Sequence, residues 1–87
     1  MKEFKGTPGE WNYSHARGEV VSKSEGLIAE LVVNGQEDNN GSLIAAAPDL
    51  LEALQELVFL YEHDEGCRDL TEYKRAKAAI SKALVEY

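Results

Sequence analysis

The chain of 87 residues lacks several features that would point to a compartment or a cofactor. Its one cysteine, Cys67, excludes an internal disulfide framework and a zinc site built mainly on thiolates. The longest uninterrupted apolar run covers residues 43–48, whereas a membrane-spanning helix needs about 20 residues. The charged start is not followed by the apolar segment of a signal peptide. We therefore expect a cytoplasmic protein with no disulfide, membrane span, metal or other cofactor.

Basic residues are scarce, and their distribution is uneven. Sixteen acidic residues against nine basic ones give a net charge of −7. Residues 24–67 contain ten acidic residues and no Lys or Arg, while residues 1–23 and 68–87 are weakly positive. Because phosphate backbones are bound by clustered Lys and Arg, this pattern excludes a general nucleic-acid clamp. It leaves the two ends free to bind a small anionic ligand or the acidic part of another subunit.

The remaining composition is that of a small folded domain. With 44% hydrophobic and 29% charged residues, the chain is unlike a disordered tail. A domain of this length buries only about 60 to 65% of the surface that its unfolded chain exposes. A single modest core leaves a sheet edge or face to protect, so we expect a homo-oligomer.

The first third of the chain predicts an antiparallel sheet. Residues 1–9 contain two glycines and a proline and predict an irregular arm ending in a turn. Trp11, Tyr13 and His15 then alternate with polar residues, as in a half-buried strand. Residues 20–21 and 27–33 predict two more strands, joined by a turn that ends at Gly26. The third strand is the most hydrophobic, so we expect it to be central or covered on both faces.

The rest of the chain has helical periodicity. Apolar residues recur at helical spacing from residue 43 to residue 61, with Ser42 as the expected N-cap. Pro48 predicts that this helix is kinked or broken. Asp69 and Glu72 have capping-box spacing before a last helix. The prediction is an α+β fold of order βββαα, in which a three-stranded meander packs against a two-helix hairpin, as one domain over residues 10–87.

Catalytic chemistry has little support in the sequence, and we expect no enzyme. Ser14 and His15 are adjacent on a strand and so point to opposite faces. His63 and Cys67 are the only strong zinc ligands in the polar segment 62–67. This segment therefore predicts the polar end of a helix and not a metal site. No glycine-rich phosphate loop or dinucleotide fingerprint is present.

Trp11 is the residue that most favours a binding function. It is the only tryptophan and follows a Pro-Gly turn, so its ring could stack on a base, or it could simply fill the core. Arg17, Lys23 and the arm residues Lys2 and Lys5 are the basic groups that could bind the phosphates of such a ligand.

Two motifs resemble a known group of proteins. Residues 7–11 (T-P-G-E-W) resemble a T-P-G-P-W start, and residues 40–54 (N-G-S-L-I-A-A-A-P-D-L-L-E-A-L) resemble the N-A-R-L-I-A-A-A-P-D-L-L-E-A-L signature of a group of small tailed-phage and prophage proteins. Residues 75–83 are similar to that group's tail. Glu10 stands where the group has a second Pro, and Gly41-Ser42 stand where it has Ala-Arg.

The resemblance implies a phage accessory protein in the cytoplasm of the infected bacterium. We expect it to bind and sequester a nucleotide-type immune signal without catalysis. The expected ligand-binding residues are Trp11, Arg17, Lys23, Asn40 and Ser42. The alternative is an inhibitor of a host nuclease or defence complex, acting through an acidic helix face formed by Asp49, Glu52 and Glu56. A small enzyme that degrades the signal ranks third.

Overall fold

A computed structural model describes residues 3–85 and contains three strands followed by two helices. The strands are β1 (Trp11–Ser14), β2 (Glu19–Ser22) and β3 (Gly26–Glu30), and the helices are α1 (Glu37–Glu62) and α2 (Thr71–Ala83). This order confirms the predicted α+β class. Lys2 lies outside the described residues. Neither α1 nor α2 is long and apolar enough to cross a membrane.

The sheet is an antiparallel meander of order β1-β2-β3. The prediction that the third strand is central is wrong, because two consecutive hairpins put β2 in the middle whatever the composition of β3. The prediction that β3 continues to residue 33 is also wrong. Its last pair joins Glu30 to Glu19, the first residue of β2, and Val32 and Val33 beyond it are 76% and 83% exposed.

One face of the sheet is the better buried. Residues paired across antiparallel strands share a face, so Trp11 and Tyr13 of β1 lie on the same side as Ser22 and Val20 of β2. Val20 is fully buried and Ser22 nearly so, while Trp11 and Tyr13 are half-buried. The predicted half-buried strand is therefore confirmed at Trp11 and Tyr13, whereas His15, predicted to belong to the same strand, follows its end and is exposed.

Helix α1 begins six residues earlier than predicted, at Glu37 instead of residue 43. The Gln36 N–H donates to the Asn34 side-chain oxygen at 2.9 Å, which forms a turn, and the Asn40 N–H donates to the Gln36 carbonyl at 2.9 Å as the first helical bond. Ser42 is consequently an exposed residue inside the helix and not its N-cap. The turn at Asn34 supplies the start signal that Ser42 was expected to give.

Pro48 lies inside α1, which continues without a break from Glu37 to Glu62. The sequence predicted either a kink or a break at Pro48, and the break into two helices is not observed. The second helix, α2, also starts differently from the prediction. Leu70 occupies its N-cap position and no side chain caps it, so the capping box predicted at Asp69 and Glu72 is not formed.

The chain divides into two compact units, with the boundary inside α1 between Asp49 and Leu50. One unit covers residues 6–49 and contains the sheet and the start of α1. The other contains the rest of α1 with α2, together with residues 3–5. The single domain predicted over residues 10–87 stays a prediction.

The apolar core of each unit is small. Among residues 3–85, the apolar side chains that are buried are Val20 in the first unit, and Val58 and Tyr73 in the second. Several leucines of α1 are more than half exposed. A chain with so little buried apolar surface gains stability readily by association.

Candidate functional site

A cluster of three side chains joins β1 to the first turn of α1. The Tyr13 hydroxyl donates a hydrogen bond of 2.7 Å to Oδ1 of Asp38, and Nδ1 of His15 lies 2.8 Å from the same oxygen. His15 follows the end of β1 and is exposed, as is Asp38. Asp38 stands in the first turn of α1, where the helix dipole favours a carboxylate.

The hydrogen bonds shift the protonation of this cluster. Donation from Tyr13, and secondarily from His15, stabilises the carboxylate and lowers the pKa of Asp38 below 3.8. The same bond holds the proton on the phenol and raises the pKa of Tyr13 from 10.0 to about 12. Tyr13 is therefore a neutral donor, and Asp38 a charged acceptor, at physiological pH.

The ring of Tyr13 lies directly on the backbone of α1 at Gly41. A Cβ atom built on Gly41 would collide with the ring atoms Cδ1 and Cε1 and would lie 2.9 Å from Cγ. Gly41 is buried, and only a residue without a side chain permits this approach. Asp38 and Gly41 are three residues apart and so lie on the same face of α1. Tyr13 can therefore pack its ring on Gly41 and donate its hydrogen bond to Asp38 at the same time.

Trp11 and Lys23 lie at the same end of the β1-β2 hairpin. Trp11 pairs with Ser22, and Lys23 is the next residue, exposed in the turn before β3. The Trp11 indole N–H donates to the Thr7 carbonyl at 3.1 Å. The buried Ser22 hydroxyl accepts from the Ser24 N–H at 3.2 Å. Both the indole and the turn that carries Lys23 are therefore fixed by hydrogen bonds.

Arg17 lies at the opposite end of the same hairpin. It is exposed in the turn between β1 and β2, where its N–H donates to the Ser14 carbonyl at 3.3 Å. Trp11 and Ser14 are the two ends of β1, about 10 Å apart at the usual rise of a strand. The structure therefore places two of the predicted ligand-binding residues, Trp11 and Lys23, at one end of the hairpin and Arg17 at the other.

The other predicted site residues lie on α1. Asn40 and Ser42 flank Gly41 and are both exposed. Asp49, Glu52 and Glu56 are also exposed, and none forms an ion pair with any residue among 3–85. The exposure of these carboxylates is the normal surface of an acidic protein and does not distinguish a partner-binding face from a solvated one.

In the second unit, α1 and α2 meet through a polar contact beside an apolar groove. Glu62 accepts a hydrogen bond of 3.0 Å from the Tyr73 hydroxyl and lies 3.2 Å from Nζ of Lys77. These contacts, Lys77 first, lower the pKa of Glu62 below 4.5. The groove has a volume of about 150 Å³. It is lined by Leu54, Leu57, Val58 and Tyr61 of α1 and by Glu72, Tyr73 and Ala76 of α2.

The single cysteine lies in the turns that connect the two helices. Cys67 is half-buried, and its N–H donates to the Asp64 carbonyl at 3.0 Å. Burial, with Asp64 nearby, raises the pKa of the Cys67 thiol above 9.0. The thiol is therefore protonated and a poor nucleophile at neutral pH. Among residues 3–85 no three His, Cys, Asp or Glu side chains are grouped so that they could hold a metal ion.

Sequence reasoning did not find the contact of Tyr13 with Asp38, His15 and Gly41. Tyr13 and Asp38 are 25 residues apart, so no local spacing could have linked them. The position of Gly41 in the sequence was the one indication of this contact. A glycine within a run of helix-forming residues costs about 1 kcal/mol relative to alanine, which suggests that something packs against it.

Comparison with protein families gives a match over the whole chain. A family model described as Salmonella phage P22 protein Y8K6 matches residues 1–87. No curated protein and no solved structure matches the chain.

Proposed function

The chain belongs to this phage P22 protein family, and from that premise we propose that it is a non-enzymatic accessory protein that binds and sequesters a nucleotide-type immune signal in the cytoplasm of the infected bacterium. Membership confirms the predicted phage origin. The motifs at residues 7–11 and 40–54, and the anti-defence role, belong to the proposal.

The observation that carries the proposal is the pairing of Trp11 with Ser22, which puts Lys23, the next residue, at the same end of the hairpin as the only indole of the chain. Opposed residues of an antiparallel pair have Cα atoms about 5 Å apart, so the backbone of Lys23 lies near that of Trp11. A half-buried indole supplies a stacking surface for a base, and the lysine supplies a cation for its phosphate. Arg17, at the other end of the hairpin, is not part of this site.

The strength of such a site can be bounded. Stacking of one base on an aromatic ring contributes about 1 to 3 kcal/mol, and a charge-assisted hydrogen bond about 1.5 to 3 kcal/mol. Together these correspond to a Kd no tighter than about 50 µM. Sequestration at low signal concentration then needs contacts from more than one chain, in keeping with the homo-oligomer expected from the sequence.

The single tryptophan makes the test specific to the site. Cyclic nucleotides and ADP-ribose derivatives would be titrated into the protein, with binding followed by Trp11 fluorescence and by isothermal calorimetry. Lys23→Glu should weaken binding of the active compound by about tenfold or more, since it loses a charge-assisted contact. Arg17→Glu is the matched control, because it makes the same change of charge at the far end of the hairpin.

The proposal is wrong if no compound in the panel changes the fluorescence or releases heat. Equal losses in the Lys23 and Arg17 variants would show a general charge effect and would remove the assigned site. Mass spectrometry of the ligand after incubation separates sequestration from degradation, because a binding protein returns the ligand unchanged.

A second candidate remains the inhibition of a host defence protein through Asp49, Glu52 and Glu56. Their lack of ion pairs with other residues among 3–85 favours it, because all three charges stay available to a partner. Reversal of all three charges should abolish capture of a host nuclease or defence complex from lysate. Capture that survives the reversal would exclude the acidic face.

A further inference from the structure

We propose that copies of this protein assemble head to tail, with the outer face of α1 in one copy packed on the outer face of α2 in the next. The two faces carry opposite charges and belong to the same chain, so a second copy supplies the partner for each. Neither Trp11 nor Lys23 takes part, so this proposal and the nucleotide proposal can fail separately.

The outer face of α1 combines negative charge with an exposed leucine. Glu52, Glu56 and Leu60 follow one another at intervals of four residues and form one line along the helix, which we call the α1 stripe. The buried Val58 is two residues from both Glu56 and Leu60, which is about 200° around a helix. The α1 stripe therefore points away from the core, with both glutamates exposed and Leu60 64% exposed.

The outer face of α2 combines positive charge with a small side chain. Lys74, Ala78 and Lys82 have the same spacing of four residues and form the α2 stripe. Ile80 is half-buried and is two residues from both Ala78 and Lys82, so this stripe also points away from the core. All three residues of the stripe are exposed, as is Arg75, which borders it seven residues before Lys82.

The charges of the two stripes have no partner within the described chain. The ion pair between the helices joins Glu62 to Lys77, which belong to neither stripe. Among residues 3–85, neither the glutamates of the α1 stripe nor the basic residues of the α2 stripe form an ion pair. These charges are therefore available to a second copy.

Charge complementarity selects which faces meet. An α1 stripe on another α1 stripe would bring like charges together, and so would two α2 stripes, whereas α1 on α2 brings opposite charges together. The same arrangement fits in shape, because Leu60 is large and Ala78 is small. An apolar contact flanked by charges has the usual composition of a protein interface, with an apolar centre and a polar rim.

The directions of the stripes exclude a simple two-fold dimer. The helices meet through their inner faces, as the hydrogen bond from Tyr73 to Glu62 shows, so the two outer stripes point in opposite directions. Each copy therefore binds one neighbour on each side, which gives a ring of three or more copies or an open chain. Assembly covers Glu52 and Glu56, so it competes with the host-protein binding that forms the second candidate function.

Sedimentation equilibrium of the whole chain tests the assembly. A concentration series from about 1 to about 200 µM would be run in low salt and in high salt. The wild type should form species larger than a dimer, and fewer of them in high salt, because salt screens the opposed charges.

Reversal of either stripe should prevent assembly. The acidic reversal is Glu52→Lys with Glu56→Lys, and the basic reversal is Lys74→Glu with Lys82→Glu. Each should raise the Kd for association at least about 30-fold. The matched controls change the net charge equally at exposed positions of the sheet unit, and should change the Kd less than about threefold: Glu10→Lys with Glu30→Lys, and Arg17→Glu with Lys23→Glu.

Mixing the two reversed chains separates the proposed contact from misfolding. One reversed chain has two basic stripes and the other has two acidic stripes, so each repels itself but complements the other. An equimolar mixture should therefore assemble with alternating copies. A single chain with all four substitutions keeps the net charge of −7 and should assemble about as well as the wild type.

The apolar part of the contact has its own pair of variants. Leu60→Ala should raise the Kd for association at least about tenfold, because it removes the side chain that packs on Ala78. Leu43→Ala is the matched control, since Leu43 lies on the same helix and is 65% exposed but is outside the stripe. It should change the Kd less than about threefold.

The proposal is overturned by a wild type that stays monomeric or stops at a dimer across the concentration series. Reversed chains that assemble like the wild type also overturn it, as does an equimolar mixture of them that stays unassembled. Equal effects of Leu60→Ala and Leu43→Ala would likewise exclude the contact.

Discussion

Replacement of Gly41 by alanine should destabilise the protein, although the same change stabilises most helices. In an ordinary helix interior, glycine to alanine gains about 1 kcal/mol. Here the new methyl group would run into the ring of Tyr13, and overpacking of this kind costs about 1 to 3 kcal/mol. The ring must also turn away, which breaks its hydrogen bond to Asp38. We expect the free energy of unfolding to fall by about 1 to 2 kcal/mol.

Urea unfolding followed by fluorescence and by circular dichroism measures this change. Trp11 lies in the same compact unit as Gly41, so its fluorescence reports the affected region. Ser42→Ala is the matched control on the next residue of the helix. Because Ser42 is exposed and touches no ring, this change should stabilise the protein by about 0.5 kcal/mol.

A double-mutant cycle isolates the contact itself. In a Tyr13→Ala background the obstructing ring is gone, and Gly41→Ala should then stabilise by about 1 kcal/mol. The two effects of the same substitution should differ by about 2 to 3 kcal/mol. If Gly41→Ala stabilises the wild type as much as it stabilises the Tyr13 variant, the packing of the ring on α1 is refuted.

Four further outcomes follow from the titratable groups. In an absorbance titration at 295 nm, the wild type should show a tyrosine ionisation step near pH 12 that is missing in Tyr13→Phe. A wild-type curve without this step would contradict the hydrogen bond of Tyr13 to Asp38. A carboxyl group whose pKa is lowered by folding stabilises the folded protein at pH values above its unfolded pKa. The stabilisation from Asp38 should therefore be lost as the pH falls below 3.8, and Tyr13→Phe should move the NMR titration midpoint of Asp38 upward. Lys77→Met should likewise raise the NMR midpoint of Glu62 toward 4.5, and an unchanged midpoint would refute the ion pair. Cys67 should react with iodoacetamide at pH 8 more slowly than a free cysteine peptide, and an equal rate would show that its thiol is not protected.

The sequence sufficed for the order and the type of the elements, because those depend on local pattern. Alternation at Trp11 and Tyr13 and the glycine at residue 26 marked the strands and their turn, and Gly26 does adopt a positive φ of 84°. Strand length was a different matter. The run of apolar residues from 27 to 33 suggested a long β3, but a strand ends where its partner ends, and β2 has only four residues.

The candidate site was predicted only in part, for the same physical reason. Trp11 and Lys23 lie at the same end of the hairpin because the two strands have a particular register, which their composition does not specify. Arg17 was an equally reasonable choice from the sequence, since charge alone does not say at which end of a hairpin a residue lies. The groove depends on how two helices meet, and the helical periodicity indicated only which residues could take part.

Pro48 has a consequence for the way in which α1 opens. Proline has no amide hydrogen, so the carbonyl of Ile44 has no donor four residues ahead and the ladder of α1 lacks one rung. That gap lies within two residues of the boundary at which the compact units divide. Amide hydrogens before and after Pro48 should therefore exchange with deuterium through separate opening reactions, each with its own free energy. In its exchange kinetics, α1 should behave as two helices although its geometry is that of one.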